Sequence, residues 1–141
     1  MRKVGVVGAG TMGSGIAALL VSAGVPVVLL DIPGQEDRSA PAKKGLERAL
    51  KARPAAFMDK DLARYIEIGN TEDDLEKLRD CDWVVEAIVE KPEPKQALYA
   101  RLEAILKPTA IVSSNTSGIP MRILLEGRSE SFRRRFLGTH F

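Results

Sequence analysis

Short apolar runs punctuate this chain, and the stretches between them carry apolar residues at helical spacing. Val4–Val7, Val25–Leu30, Tyr65–Gly69, Trp83–Val89, Ala110–Ser113 and Arg135–Phe141 read as strands. The fourth run is apolar almost throughout, as a parallel strand covered on both faces must be. Arg38–Lys51 places Ala42, Leu46, Ala49 and Leu50 on one helical face, and Pro54 interrupts the pattern. Phe57–Leu62 reads as a short helical turn. Asn70 or Thr71 can cap a short helix ending at Leu78, with Glu72, Asp73 and Asp74 favourable at its positive end. Lys95–Leu106 sets Leu98, Leu102, Ile105 and Leu106 on one side, and Pro108 marks its end; Ile119–Leu125 also has helical character.

One stretch organises the rest. Residues Lys3 to Asp31 read as strand, glycine turn, small-residue helix from Ser14 to Ala23, second strand, acid. The turn is Gly8-Ala9-Gly10-Thr11-Met12-Gly13. Gly8 permits the tight exit from the strand, and the lack of a side chain at Gly10 lets a pyrophosphate approach the backbone. Gly13 lets the helix lie close to the strand. The helix start then offers unpaired N–H groups and a positive dipole end to phosphate. Asp31 ends the second strand, where a carboxylate can accept hydrogen bonds from ribose hydroxyls, and Ile32 follows it without charge. A bare G-x-G-x-x-G also marks ordinary turns, and the alternative is a structural turn in a non-binding domain. Here each flanking condition of the motif is met. The alternation of strands and helices predicts an α/β fold: a Rossmann-type doubly wound parallel sheet in three layers, with strand order 3-2-1-4-5-6.

Composition narrows the picture. A chain of 141 residues, 45% hydrophobic and 28% charged, is ordinary for one globular domain. A net charge of +2 gives no argument for nucleic acid or a membrane surface. A single cysteine, Cys81, excludes an internal disulfide framework and reads as a half-buried, inert thiol of a reducing compartment. Met1-Arg2-Lys3 before apolar residues imitates a signal peptide, but glycines break the apolar stretch. No run is long enough to span a bilayer, and the reading is cytoplasmic. The chain stops at an apolar strand, so a fragment of a longer enzyme is expected.

Ligands of such sheets bind outside the carboxyl ends of the strands. The chemistry-bearing residues there are Asp31, Glu86, Glu90, Lys95, the loop Ser114 to Ser117, and His140, the single histidine. An imidazole can take a proton from an alcohol near neutral pH, and it can equally be a structural strand residue. Glu86 lies in an apolar strand, so it is either hydrogen-bonded in the interior or faces the cleft. Glu90 and Lys95 read as a surface ion pair when nothing more is known. Arg133-Arg134-Arg135 reads as a solvated face rather than a phosphate site.

Together GAGTMGSGIA, VVEAIVEKPEPK, SSNTSG and LGTHF, in this order and spacing, resemble the L-3-hydroxyacyl-CoA dehydrogenase family over the whole chain. The details are most similar to bacterial enzymes in which this dehydrogenase is fused to an enoyl-CoA hydratase. The resemblance implies an NAD-binding domain, residues 1–141, of an enzyme that oxidises 3-hydroxyacyl-CoA to 3-ketoacyl-CoA in fatty acid β-oxidation. It implies that His140 is the catalytic base or acid and that Ser117 stands beside the reacting oxygen. It gives Gly8, Gly10, Thr11, Met12, Gly13, Asp31, Ile32, Glu90, Lys95 and Asn115 to NAD, and it implies no metal. The partners it implies are an acyl-CoA substrate and a second copy of the chain. The family's H-F-F-N-P continuation, the glutamate that orients the histidine and the helical substrate and dimerisation domain lie beyond Phe141, so this chain is expected to bind NAD without turnover. Two other readings stay open: a dehydrogenase of a small hydroxy acid, and a nucleotide-sensing domain without turnover.

Asp31 would repel a 2′-phosphate, and the nearest cation, Arg38, lies beyond the Pro33-Gly34 turn. NAD should therefore bind more tightly than NADP in parallel titrations, and Asp31→Ala should weaken NAD. Equal or tighter NADP binding would refute the role of Asp31.

Overall fold

The computed structural model describes every residue from Met1 to Phe141. The strands are β1 (Val4–Val7), β2 (Val27–Asp31), β3 (Ile66–Asn70), β4 (Trp83–Glu86), β5 (Ile111–Ser114) and β6 (Phe136–Gly138). The helices are α1 (Thr11–Ser22), α2 (Ala40–Lys51), α3 (Pro92–Ile105), α4 (Met121–Leu124) and α5 (Glu130–Arg134), with 3₁₀ turns at Lys60–Tyr65 and Leu75–Leu78. All strands are parallel, in the order β3-β2-β1-β4-β5-β6. This is the doubly wound order expected from the sequence, and it splits between β1 and β4.

Alternation along the buried strands builds two cores. Val4 and Val6 of β1, with Val27 and Leu29 of β2, meet Ile16, Ala17 and Leu20 of α1 on one face. Val7, Val28 and Leu30 point to the other face, against Leu98, Tyr99 and Leu102 of α3 and Phe132 of α5. The sheet is thus the middle layer of three.

The boundaries depart from the sequence reading where side chains capture backbone groups. β4 ends at Glu86 rather than Val89. Ala87 still donates to the Val7 carbonyl at 2.8 Å, but the Ile88 N–H turns to the Glu86 carboxylate at 2.8 Å, and Val89 swings out to 56% exposure. The expected helix from Asn70 to Leu78 shrinks to one 3₁₀ turn. The Asn70 side chain accepts from the N–H groups of Glu72 and Asp73, and Asp74 accepts from the N–H of Asn70 itself. β6 is shorter than Arg135–Phe141, so His140 lies beyond the strand rather than in it. α3 starts at Pro92, ahead of Lys95, because proline is well suited to a first helical turn. α4 is shorter than Ile119–Leu125 and starts after Pro120. α5 was not foreseen, although Ser129 accepts from the Phe132 N–H as an N-cap and Glu130 follows it.

Two single-residue readings also change. Cys81 is fully buried, not half-buried, and burial pushes its thiol up to about 11. Arg135 is not part of a solvated face: it donates to the carbonyls of Lys107 and Ala110 and lies over the Phe132 ring.

Asp82 ties the amino terminus to the sheet. It accepts from the Arg2 N–H at 2.5 Å and from the Lys107 ammonium at 2.5 Å, and these bonds lower its carboxyl to about 2. An unfolded aspartate titrates near ~3.9. The resulting stability is complete above that value and is lost as pH falls through about 2. Asp82→Asn should therefore lower the melting temperature slightly at pH 7, and the gap to wild type should close between pH 4 and 2 in thermal melts followed by circular dichroism.

Candidate functional site

The chain leaves β1 at Gly8, whose φ of +103° is left-handed. A Cβ there would stand 2.4 Å from the Ala87 carbonyl oxygen, so the turn is closed to side chains twice over. A Cβ on Gly13 would lie 1.7 Å from the Gly8 carbonyl oxygen, which is how closely α1 sits on the turn. At Gly10 a Cβ would meet nothing within 4 Å. That space belongs to a cleft of about 490 Å³ lined by Gly8, Gly10, Asp31 and Ile32 on one side and Ile88, Pro94 and Arg101 on the other.

No side chain caps α1. The N–H groups of its first turn, which includes Thr11, Met12 and Gly13, have no partner inside the helix. Asp31 is set by two backbone donors: one oxygen accepts from Ala9 at 2.8 Å, the other from Ile32 at 2.7 Å. Each oxygen keeps a lone pair for a hydroxyl at the cleft. An open space at Gly10, free N–H groups on a helix start and a fixed carboxylate together fit the pyrophosphate and ribose of a dinucleotide.

Ala87 and Ile88 also line a second cavity of about 370 Å³. It gathers Met12, Glu90, Lys95, Asn115, Ser117 and His140. Glu90, Lys95, Asn115, Ser117 and His140 therefore meet at one place, beyond the ends of β4, β5 and β6, with Met12 of α1 beside them. The two cavities share only the wall formed by Ala87 and Ile88.

Lys95 is not half of a surface pair. It is 1% exposed, with its ammonium 2.5 Å from Glu86 and 3.4 Å from Glu90. Glu86 is fully buried and does not line the cleft. It accepts from Lys95, from the Ile88 N–H, from the Tyr99 hydroxyl at 2.5 Å and from the Ser114 hydroxyl at 2.6 Å. Burial first, and then the Glu86 charge, push the Tyr99 phenol far above its usual range. Burial raises the Glu90 carboxyl, but the Thr116 hydroxyl, the Gly118 N–H and Lys95 outweigh it and leave the group below its usual value. Ser114 and Thr116 lie in the loop singled out from the sequence, but Tyr99 was not named there. Tyr99 lies four residues after Lys95, on the same helix face, and that spacing was the available signal.

His140 is exposed but held on both sides. Thr139 donates to the Ser114 carbonyl at 2.9 Å and reaches the Ser113 hydroxyl at 3.1 Å. Phe141 donates to the Asn115 side-chain carbonyl at 3.2 Å and stacks on Trp83.

Comparison with known proteins decides the family. The family model for the NAD-binding domain of 3-hydroxyacyl-CoA dehydrogenase matches residues 3–141. The chain belongs to this family. It is 61% identical over its full length to a probable 3-hydroxyacyl-CoA dehydrogenase of Deinococcus radiodurans, of which it spans 41%. It is 44% identical to a putative fatty acid oxidation complex trifunctional enzyme of Rickettsia felis, spanning 20% of it. The crystal structure of (S)-3-hydroxybutyryl-CoA dehydrogenase from Ralstonia eutropha superposes with a TM-score of 0.77 at 33% identity, over all of this chain and 49% of that one. The chain thus spans less than half the length of these relatives.

As an NAD-binding domain of this family, the chain should respond in opposite ways to two glycine substitutions. Gly10→Val places methyls only in the open cleft, so the domain should keep its melting temperature and lose NAD binding. Gly13→Ala drives a methyl into the Gly8 carbonyl, so it should cost about 2 kcal/mol or more of stability. Calorimetric titration and thermal melts separate the two. Undiminished NAD affinity in folded Gly10→Val would remove the phosphate role of that space.

Proposed function

We propose that the protein carrying this domain oxidises the 3-hydroxyl of a 3-hydroxyacyl-CoA to the 3-ketone. The observation that carries the reading is the smaller cavity, where His140, Ser117, Asn115, Glu90 and Lys95 converge from separate elements. The larger cleft, with Gly8, Gly10, the first turn of α1, Asp31 and Ile32, takes the adenosine and pyrophosphate of NAD. The smaller cavity takes the nicotinamide. When bound, NAD supplies the acceptor for the C3 hydride.

The chain's own groups then have distinct tasks. His140 stands at the cavity and takes the hydroxyl proton as the carbonyl forms. Ser117 donates to the reacting oxygen, and Asn115 orients the loop by holding the Phe141 N–H. Glu90 and Lys95 border the nicotinamide and fix its face. Apolar walls from Met12 and Ile88 exclude water from the hydride path. The substrate is an acyl-CoA, the assembly a homo-oligomer and the compartment the cytoplasm. No helix is long and apolar enough to cross a membrane.

The test is His140→Ala in the intact enzyme, read in an NADH-linked assay with acetoacetyl-CoA. Turnover should fall by about a hundred- to ten-thousand-fold, as for a lost general base, while NAD affinity stays unchanged. Wild-type turnover in the variant, or equal turnover on free hydroxy acids, would overturn the reading.

A further inference from the structure

Glu86 lines neither cavity, yet it bonds to Ile88 and Lys95 in the wall of the smaller one, and its main-chain carbonyl accepts from the Asn115 N–H. One carboxylate oxygen accepts from the Ile88 N–H at 2.8 Å and the Lys95 ammonium at 2.5 Å. The other accepts from the Tyr99 hydroxyl at 2.5 Å and the Ser114 hydroxyl at 2.6 Å. Ile88 belongs to the wall between the cavities, Lys95 and Tyr99 to α3, and Ser114 to the end of β5, one residue before Asn115.

Lys95 carries the arrangement outward. Its ammonium lies between Glu86 and one oxygen of Glu90, while the other Glu90 oxygen accepts from the Thr116 hydroxyl and the Gly118 N–H. A chain of charge-assisted bonds therefore runs from the core of β4 to the loop that holds Asn115 and Ser117. Stability gives no reason for it. A buried ion pair is commonly matched or bettered by apolar residues of the same volume, and the neighbouring strand positions Val84 and Val85 are filled that way. An acid at this position instead fixes directions, because its oxygens are committed to donors on three separate segments: the Ile88 turn, α3 and the end of β5.

We infer that Glu86 is a positioning residue for the nicotinamide half of the site, acting through Lys95 and Ser114 to fix Glu90 and the Asn115–Gly118 loop before cofactor arrives. This rests on the reading of the smaller cavity as the nicotinamide site. Asp31 is held by the Ala9 and Ile32 N–H groups and makes no bond to Glu86, and the space beside Gly10 is open, so the ribose and pyrophosphate side does not depend on the Glu86 hydrogen bonds.

The experiment compares NAD with ADP-ribose, which lacks only the nicotinamide, by calorimetry on the full chain, its Glu86→Gln variant and its Tyr99→Phe variant. Both variants should bind ADP-ribose within about twofold of wild type. The preference for NAD over ADP-ribose should shrink about tenfold in Glu86→Gln, the size of one charge-assisted hydrogen bond, and by less in Tyr99→Phe. A merely structural acid would lower the melting temperature and leave the ratio unchanged, and that result overturns the inference. If Glu86→Gln does not fold, Tyr99→Phe, which removes one hydroxyl and keeps both charges, decides by the same ratio. If wild type itself shows no preference for NAD, the reading of the cavity fails and the inference falls with it. If wild type discriminates and the variants do so equally, only the role of Glu86 fails.

Discussion

The contact between the Gly8 turn and the Ala87 carbonyl governs the open end of the sheet. No side chain fits there, so two backbone segments touch where β1 and β4 diverge. That touch lets α1 start directly over the turn. It also turns Ala87 and Ile88 into a thin partition with space on either side. A larger residue at Gly8 or Gly13 would lift α1, and the N–H groups of its first turn would no longer face the space beside Gly10. Asp31 depends on the same contact, since one of its two anchors is the Ala9 N–H within the turn.

The second layer of organisation is electrostatic. Two carboxylates and one ammonium meet at the end of β4, one of the acids fully buried. Such a cluster is tolerable only because its bonding capacity is filled from Ile88, Lys95, Tyr99 and Ser114. The adenosine side needs no comparable device. It relies on main-chain N–H groups and one half-exposed acid, which water can solvate before a ligand arrives.

How much of this could be read from the chain follows from the range of each interaction. The doubly wound order was readable because short apolar runs such as Val4–Val7 and Val25–Leu30, bounded by turn residues and alternating with helical patterns, fit buried parallel strands, and the glycine turn fixes which is first. The turn and Asp31 were readable because their geometry is local. The ends of elements were not. Glu86 takes the Ile88 N–H and stops β4, and Asn70 and Asp74 cut an expected helix down to one 3₁₀ turn, through bonds that no periodicity records. The burial of Lys95 was hidden for a similar reason. Its buried partner, Glu86, lies nine residues back in β4, so Glu90 alone, closer in sequence, suggested a pair on the surface. α5 was missed because five residues are too few to show a period.

The aromatic stack at the chain's end has a spectroscopic consequence. Trp83 is the single tryptophan, its indole N–H donates to Ser113 at 2.8 Å, and its ring faces Phe141, next to His140. Ser113 in turn meets the Thr139 hydroxyl on the other side of the histidine. The indole emission is thus a built-in optical gauge of whether the His140 segment is seated, readable without a label.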